Sequence, residues 1–290
     1  METIDLLKKV RKIEIKTRGL SNHIFAGEYH SAFKGKGMTF SEVREYQYGD
    51  SIKQIDWNVT ARFNHPYVKV FEEERELTVI LLVDVSGSKF FGTNQQLKKD
   101  LIAEIAAVLS FSAIQNNDKI GVILFSNKIE KFIPPKKGKK HILRIISELL
   151  NYKPENKGTN IAEALRYFTN VVKKRTTAFL ISDFINDDFE QALRIANNKH
   201  DVIAVRIYDK REKELPNIGL INMFDPETNK QLLIDTSNSN VRYTYKKWMR
   251  NLEDNLNIIT KKAGVDIINV ETGEDYIKPL LNLFKRRGSK

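Results

Sequence analysis

A short segment of this chain contains oxygen-bearing side chains at the spacing that a metal site needs. It reads Asp84-Val-Ser86-Gly-Ser88 and follows the apolar run 78–83, which is typical of a parallel strand covered on both faces. Open α/β sheets bind ligands at the carboxyl ends of their strands. One carboxylate and two hydroxyls are hard donors that suit Mg²⁺ or Mn²⁺. The alternative is a plain strand-to-helix turn capped by Asp and Ser.

Two later loops add donors of the same kind. Thr159 precedes an amphipathic helix that starts at 161, which puts its hydroxyl at or near the N-cap. Asp183 ends a second apolar run, 177–182. The sequence therefore predicts that Asp84, Ser86, Ser88, Thr159 and Asp183 lie together at one edge of one sheet.

The order and types of these five residues resemble the metal-ion-dependent adhesion site of von Willebrand factor A domains. In that site the Ser and Thr hydroxyls bind Mg²⁺, and the Asp residues bind it directly or through water. The resemblance implies the von Willebrand factor A topology, and a metal whose open position is completed by an acidic residue of a partner protein.

The segment upstream of these loops resembles a more specific family. Residues 30–46 and 49–57, followed by Ala61-Arg62, resemble the signature of domain-of-unknown-function family 58. Members of that family pair such a segment with a von Willebrand factor A-like domain and are commonly encoded beside MoxR-type AAA+ ATPases. This chain departs from the signature at Ser51, where an acid is usual, and at Lys53, where an Arg is usual.

Several residues of this signature segment are candidates for a partner-binding surface: Arg44, Asp50, Asp56, Trp57 and Arg62. For Asp56, Trp57 and Arg62 we favour a different interpretation, a buried polar latch that ties the N-terminal part to the sheet. A nearby ion pair and an indole are more often structural than functional.

Composition sets limits on the class of protein. The 290 residues include no cysteine, which excludes disulfides and thiolate metal sites. The N-terminus has no apolar segment of signal-peptide length, and no run approaches a membrane span. We therefore expect a cytoplasmic protein, with docking onto a membrane-anchored partner left open.

The net charge of +11 is unevenly distributed. Residues 127–157 contain nine Lys or Arg against three Glu, and a second basic run lies at 285–290. Such patches can attract nucleic acid. Without an aromatic stacking array or a known nucleic-acid motif, a solvated or protein-contacting surface is the better interpretation.

Hydrophobic periodicity predicts the architecture. An amphipathic helix is expected at 3–17, and from residue 77 onward strands and helices alternate, which favours a mostly parallel sheet with helices on both faces. We also expect a strand at 67–71, a helix at 187–198, a β-hairpin insertion near 215–236 and a long helix at 240–262. We predict two parts: 1–76, the N-terminal helix and signature segment packing on the main domain, and 77–290, the von Willebrand factor A-like domain.

Three functional hypotheses follow. The first is a non-enzymatic, metal-dependent interaction module, an adaptor or chaperone-like partner of a MoxR-type AAA+ ATPase or of its client. The second is a Mg²⁺-dependent phosphoester hydrolase, which would need a general base or a second metal near the first. The third is an electrostatic nucleic-acid binder that uses the basic segment 127–157. The absence of a phosphate loop, a nucleophile elbow or a His in the metal loops favours the first.

Overall fold

The structure of the protein is a computed structural model that describes residues 8, 10–15, 17, 38–73, 77–87, 97–186, 188–224 and 231–288. The chain forms two compact units. One comprises Met1–Ala32 and Leu77–Lys290, and the other comprises Phe33–Glu76. The sequence analysis divided the chain into 1–76 and 77–290, and this division stays a prediction. Its boundary between residues 76 and 77 is also a boundary between the two units.

The smaller unit is built on a two-stranded antiparallel sheet. Its elements are β1 (Met38–Glu45), a 3₁₀ turn (Ile52–Gln54), α1 (Trp57–Phe63) and β2 (Tyr67–Glu73). The pattern of the sequence predicted β2 but not β1. The register of β1 shifts between Phe40 and Glu42, and this irregularity breaks the alternation by which a strand is recognised.

A six-stranded sheet forms the centre of the larger unit within the described residues. Its strands are β3 (Thr78–Asp84), β4 (Lys119–Phe125), β5 (Ile129–Lys136), β6 (Thr177–Ser182), β7 (Asp201–Tyr208) and β10 (Asp266–Glu271). They lie in the order β10-β7-β6-β3-β4-β5, and all neighbours are parallel except β4 and β5. The predicted mostly parallel α/β sheet is therefore confirmed.

Helices cover the sheet as the alternation predicted. They are α2 (Lys98–Gln115), α3 (Lys139–Asn151), α4 (Ile161–Val171), α5 (Glu190–Lys199), α6 (Lys210–Lys213), α7 (Ser239–Ala263) and α8 (Ile277–Gly288). Ile80 and Leu82 of β3 pack in one core cluster with α4, α5 and α7. The alternate residues Val79, Leu81 and Val83 are also fully buried and face the other side of the sheet.

The predicted hairpin is present as β8 (Leu220–Phe224) and β9 (Gln231–Asp235), which pair antiparallel. The described N-terminal residues have helical backbone, with Val10 and Ile13 buried and Ile15 68% exposed. Among the described residues, no helix combines the length and apolar character needed to cross a membrane.

One helix start was predicted wrongly. We expected a helix at 187–198, but α5 begins at Glu190. Asp188 has a φ of 58°, in the left-handed region, so it cannot be part of the first turn. Phe189 occupies the N-cap position without a side-chain hydrogen bond, and Asp187 lies outside the described residues.

His200 makes the stability of this core dependent on pH. Its side chain is fully buried, with its ring centroid 4.3 Å from that of Phe168. Burial, aided by the charges of Lys199 and Arg175, lowers the pKa of His200 to about 4. The unfolded chain takes up this proton below about pH 6.5, whereas the folded chain does so only near pH 4.

We therefore expect the contribution of His200 to the free energy of unfolding to be complete above about pH 6.5 and lost as the pH falls toward 4. The contribution has a slope of up to about 1.4 kcal/mol per pH unit. Urea unfolding of wild type and His200→Phe between pH 4 and 7 measures it, and the variant should show the shallower decline. The exposed His65→Phe is the control, and equal slopes in wild type and His200→Phe would contradict the prediction.

Candidate functional site

Asp84 is the last residue of β3, and its carboxylate is the centre of the candidate site. The residue is 4% exposed. Its Oδ1 accepts a hydrogen bond from the Ser86 amide at 2.9 Å, and its Oδ2 accepts one from the Ser182 hydroxyl at 2.7 Å. The Thr159 hydroxyl lies 3.5 Å from the same Oδ2, a long contact for two oxygens.

Strand register brings Asp84 and Ser182 together. β3 and β6 are parallel neighbours, and Val83 pairs with Ile181, so the next residue of each strand emerges at the same level. The loop after Asp84 is fixed by its backbone: the Val85 amide donates to the Phe125 carbonyl and the Gly87 amide to the Lys157 carbonyl.

The Thr159 loop is held from both sides. The Asn160 amide donates to the Ser126 carbonyl at 2.9 Å, and the Asn160 side chain caps α4 by accepting from the Glu163 amide. The Asn186 side chain donates to the Thr159 carbonyl at 2.8 Å and accepts from the amide of the first residue of α4. Thr159 therefore lies next to the cap, as predicted, and faces Asp84.

Asp183 follows β6 and is paired with a buried cation. The Lys98 Nζ lies 3.3 Å from Asp183 Oδ2 and 2.5 Å from Glu212 Oε1, and the Lys98 side chain is 2% exposed. Burial acts to lower the pKa of Lys98, but the charges of Asp183 and Glu212 outweigh it and raise the pKa above its ordinary value. Lys98 is therefore an internal ammonium ion that neutralises part of the acidic charge here.

The charge of Asp183 is close enough to influence the ionisation of Asp84. Burial, and next the charge of Asp183, raise the pKa of Asp84 from 3.8 to about 6, against the opposing effect of hydrogen bonds from Ser86 and Ser182. A cation bound beside this buried carboxylate would stabilise its charged form.

The donors suit a hard cation. Within the described ranges, no three His, Cys, Asp or Glu side chains come together as a metal cluster, so any metal here must depend on hydroxyls as well as carboxylates. Asp84, Ser86 and Thr159 converge, with Asp183 near enough to act on Asp84 electrostatically. Ser88, the fifth predicted ligand, lies outside the described residues. Carboxylate and hydroxyl oxygens fit Mg²⁺ or Mn²⁺.

Sequence reasoning missed four residues of this site. Ser182 could have been found by aligning the carboxyl ends of β3 and β6. Lys98 had a weaker signal, a charged residue at the start of an otherwise apolar helix. Glu212 lies in the short helix α6 and Asn186 in the loop after β6, and no local pattern indicated either of them.

The candidate partner surface in the smaller unit contains both internally paired and exposed residues. Arg44 forms a bidentate ion pair with Asp50 at 2.7 and 2.8 Å, which lowers the pKa of Asp50. Asp56 caps α1 by accepting from the amides of Asn58 and Val59, and it pairs with Lys69 at 3.3 Å.

The buried latch predicted for Asp56, Trp57 and Arg62 is wrong for the indole. Trp57 is 67% exposed, and Arg62 is exposed as well. The polar partners of Asp56 lie within α1 and β2, so it stabilises its own unit instead of pairing with Arg62.

The basic segment 127–157 is partly neutralised. Lys128 pairs with Glu155 at 2.8 Å, and Lys131 pairs with Glu148 at 2.8 Å. Lys139 pairs with Glu14 at 2.6 Å. These pairs reduce the charge that the segment presents to a polyanion.

The fold and the site together define a mixed α/β protein with polar side chains gathered at the carboxyl edge of a mostly parallel sheet. The sequence profile of the family described as "Protein of unknown function DUF58" matches residues 42–255. This is most of the chain, and the protein belongs to that family.

One relative matches nearly the whole length of the chain, and a second matches less than half of it. The uncharacterized protein Rv1480 of Mycobacterium tuberculosis is 26% identical over 292 residues, which covers 98% of this chain and 91% of that protein. The uncharacterized protein MAV169 of Mycobacterium avium is 25% identical over 131 residues, 44% of this chain and 76% of that one.

Solved structures show weaker similarity. The conserved hypothetical protein BatB from Bacteroides thetaiotaomicron has a TM-score of 0.47 at 15% identity, covering 74% of this chain and all of that one. An aerotolerance-related membrane protein from Bacteroides fragilis scores 0.49 at 14% identity, covering 73% and 98%. Proximal thread matrix protein 1 from the mussel byssus, with a zinc-occupied MIDAS motif, scores 0.36 at 22% identity, covering 46% and 38%. At these scores the likenesses support no functional argument.

Removing the Lys98 ammonium should destabilise the protein strongly. In metal-free Lys98→Met, Asp183 and Glu212 would stay buried without their cation, and we expect the free energy of unfolding to fall by about 3–5 kcal/mol. Urea unfolding measures this loss. Lys140→Met, at an exposed position near the start of α3, is the matched control and should stay within about 0.5 kcal/mol of wild type. A similar small effect in both variants would show that the buried pair adds nothing.

Proposed function

We propose that this chain is a metal-dependent protein-interaction module with von Willebrand factor A topology, and not an enzyme. Asp84, Ser86, Ser88, Thr159 and Asp183 would hold Mg²⁺, or Mn²⁺, with one coordination position left for an acidic residue of a partner. The observation that carries the proposal is the convergence of hydroxyls on the buried Asp84 carboxylate, beside a second carboxylate whose charge raises its pKa.

The chemistry of the site supports binding more than turnover. A hard cation with incomplete protein coordination retains exchangeable water, which an incoming carboxylate replaces. The cation nearest to Asp183 among the described side chains is Lys98, whose charged form is favoured and which is therefore a poor general base. The arrangement supports capture of an acidic partner.

The sheet supports the proposed topology. The central strand β3 ends at Asp84, Asp183 directly follows the neighbouring strand β6, and an antiparallel strand, β5, lies at one side of the sheet. In a domain of von Willebrand factor A type, the partner binds at the edge formed by the carboxyl ends of the parallel strands. The site would then bind protein in the cytoplasm or dock onto a membrane-anchored partner.

We infer that the partner is a MoxR-type AAA+ ATPase or its client. This inference depends on the resemblance of the signature segment, because members of the family it resembles are commonly encoded beside such ATPases. The smaller unit offers a second contact area through exposed apolar side chains: Tyr48 at 105%, Ile52 at 69%, Trp57 at 67% and Phe63 at 61% exposure. Exposed aromatic residues of this kind are the ones that most often contribute binding energy at protein interfaces.

Metal binding is the first test of the proposal. Mg²⁺ and Mn²⁺ titrated calorimetrically into metal-stripped wild type should give saturable binding, and this should be lost in Asp84→Asn. Metal at a hundred times its Kd should raise the free energy of unfolding of the wild type by about 2.7 kcal/mol and that of the variant by none.

Two controls make this test specific. Burial raises the pKa of Asp84, so its favourable contribution is present below about pH 3.8 and lost as the pH rises through about 6. Metal-free Asp84→Asn should therefore be no less stable than wild type at pH 7. Asp188→Asn, at an exposed acid in the loop after β6 whose left-handed backbone Asn tolerates, should bind metal like the wild type. Equal binding by Asp84→Asn and wild type would refute the site.

Partner capture is the second test. Purified MoxR-type ATPase from the same organism should bind immobilised wild type in Mg²⁺ and be released by chelation. Trp57→Ala should weaken this capture at least about tenfold, because exposed aromatic anchors dominate such interfaces. Tyr243→Ala, which removes a 69% exposed ring from the larger unit, is the control. Absence of capture would argue against this partner, and capture that is unaffected by chelation and by Trp57→Ala would argue against the proposed binding surface.

A further inference from the structure

A cavity of about 330 Å³ lies beside the carboxyl ends of β7 and β10, and its lining carries an excess of positive charge. Five cationic side chains line it, from β7, α6 and α7: Arg206, Lys210, Lys213, Lys246 and Arg250. Three carboxylates accompany them. The cavity is not used by the proposed metal site.

The three carboxylates already have partners. Glu253 lies 3.2 Å from Arg206 and 3.9 Å from Lys213, and Glu214 lies 2.6 Å from Lys246. Glu271 hydrogen-bonds the Tyr208 hydroxyl, and burial together with the Glu271 charge raises the pKa of Tyr208 to about 12. The acidic groups of the lining are therefore engaged by neighbouring side chains.

Two cations remain in excess. Among the described residues, Lys210 and Arg250 have no carboxylate within 4.0 Å. Their charges act at longer range on Glu214, whose pKa is lowered by Lys246 first and by these two residues in addition. Neighbouring like charges in one concave site repel each other, and an anion placed between them would relieve this repulsion.

We propose that this cavity binds the phosphate group of a small phosphorylated molecule. A phosphate monoester carries nearly two negative charges near neutral pH, which matches the two excess cations. Arg206, 4% exposed and fixed by Glu253, and Arg250 offer the planar donors that suit phosphate oxygens. The volume is in the range of small-molecule sites and exceeds what phosphate alone fills, so it leaves space for an organic part.

The experiment is a calorimetric titration at constant ionic strength of metal-stripped protein with three probes: inorganic phosphate, adenosine monophosphate and adenosine. Stripping the metal separates this site from the proposed metal site, so that either can fail alone. The test variant is Lys210→Gln with Arg250→Gln. The matched control is Lys247→Gln with Lys261→Gln, which removes the same charge from exposed positions of α7 outside the cavity.

We expect saturable binding of adenosine monophosphate by the wild type, with a Kd that rises about tenfold or more in the test variant and stays unchanged in the control. If inorganic phosphate binds as tightly as adenosine monophosphate, free phosphate is the ligand and the cavity is still a phosphate-binding site. Absence of binding by both anions, binding of adenosine equal to that of its monophosphate, or an equal loss in both double variants would overturn the proposal.

Discussion

The burial of negative charge at the carboxyl edge of the sheet is the constraint on which the site depends. Asp84 cannot move out into solvent, because it ends the strand β3, whose preceding residues are fully buried between the strands β4 and β6. Asp183 directly follows the neighbouring strand β6 and adds its own charge. Neighbouring segments of the chain supply what these carboxylates need: amide and hydroxyl donors for Asp84, and the Lys98 ammonium for Asp183.

This arrangement also explains why the ammonium and a divalent metal need not exclude each other. Lys98 lies against Asp183 and Glu212 and away from the hydroxyl contacts of Asp84. Of the two acidic centres, Asp84 has no ion pair among the described residues and depends on neutral donors. Neutral donors stabilise a buried carboxylate less than a cation does, so Asp84 is the centre that gains most from a metal.

The sequence predicted the sheet, its helices and the positions of four of the proposed metal ligands because each is encoded locally. An apolar run followed by Asp84 or Asp183 marks the end of a buried strand, and Thr159 stands where a helix begins. Ser182, Lys98 and Glu212 were not predicted, because their roles depend on which strands are neighbours and on how far a long side chain reaches. The strand β1 was missed for a local reason, since its irregular register hides the alternation.

The helix α6 connects the two candidate sites of the larger unit. Its capping box uses Asp209 and Glu212, and Asp209 is fixed in turn by the Thr272 hydroxyl. Glu212 faces Lys98 and the metal loops, whereas Lys210 and Lys213 on either side of it face the cationic cavity. Glu212 and the two cavity lysines lie in one helical turn, so the position of α6 fixes both the Lys98–Glu212 ion pair and part of the cavity lining.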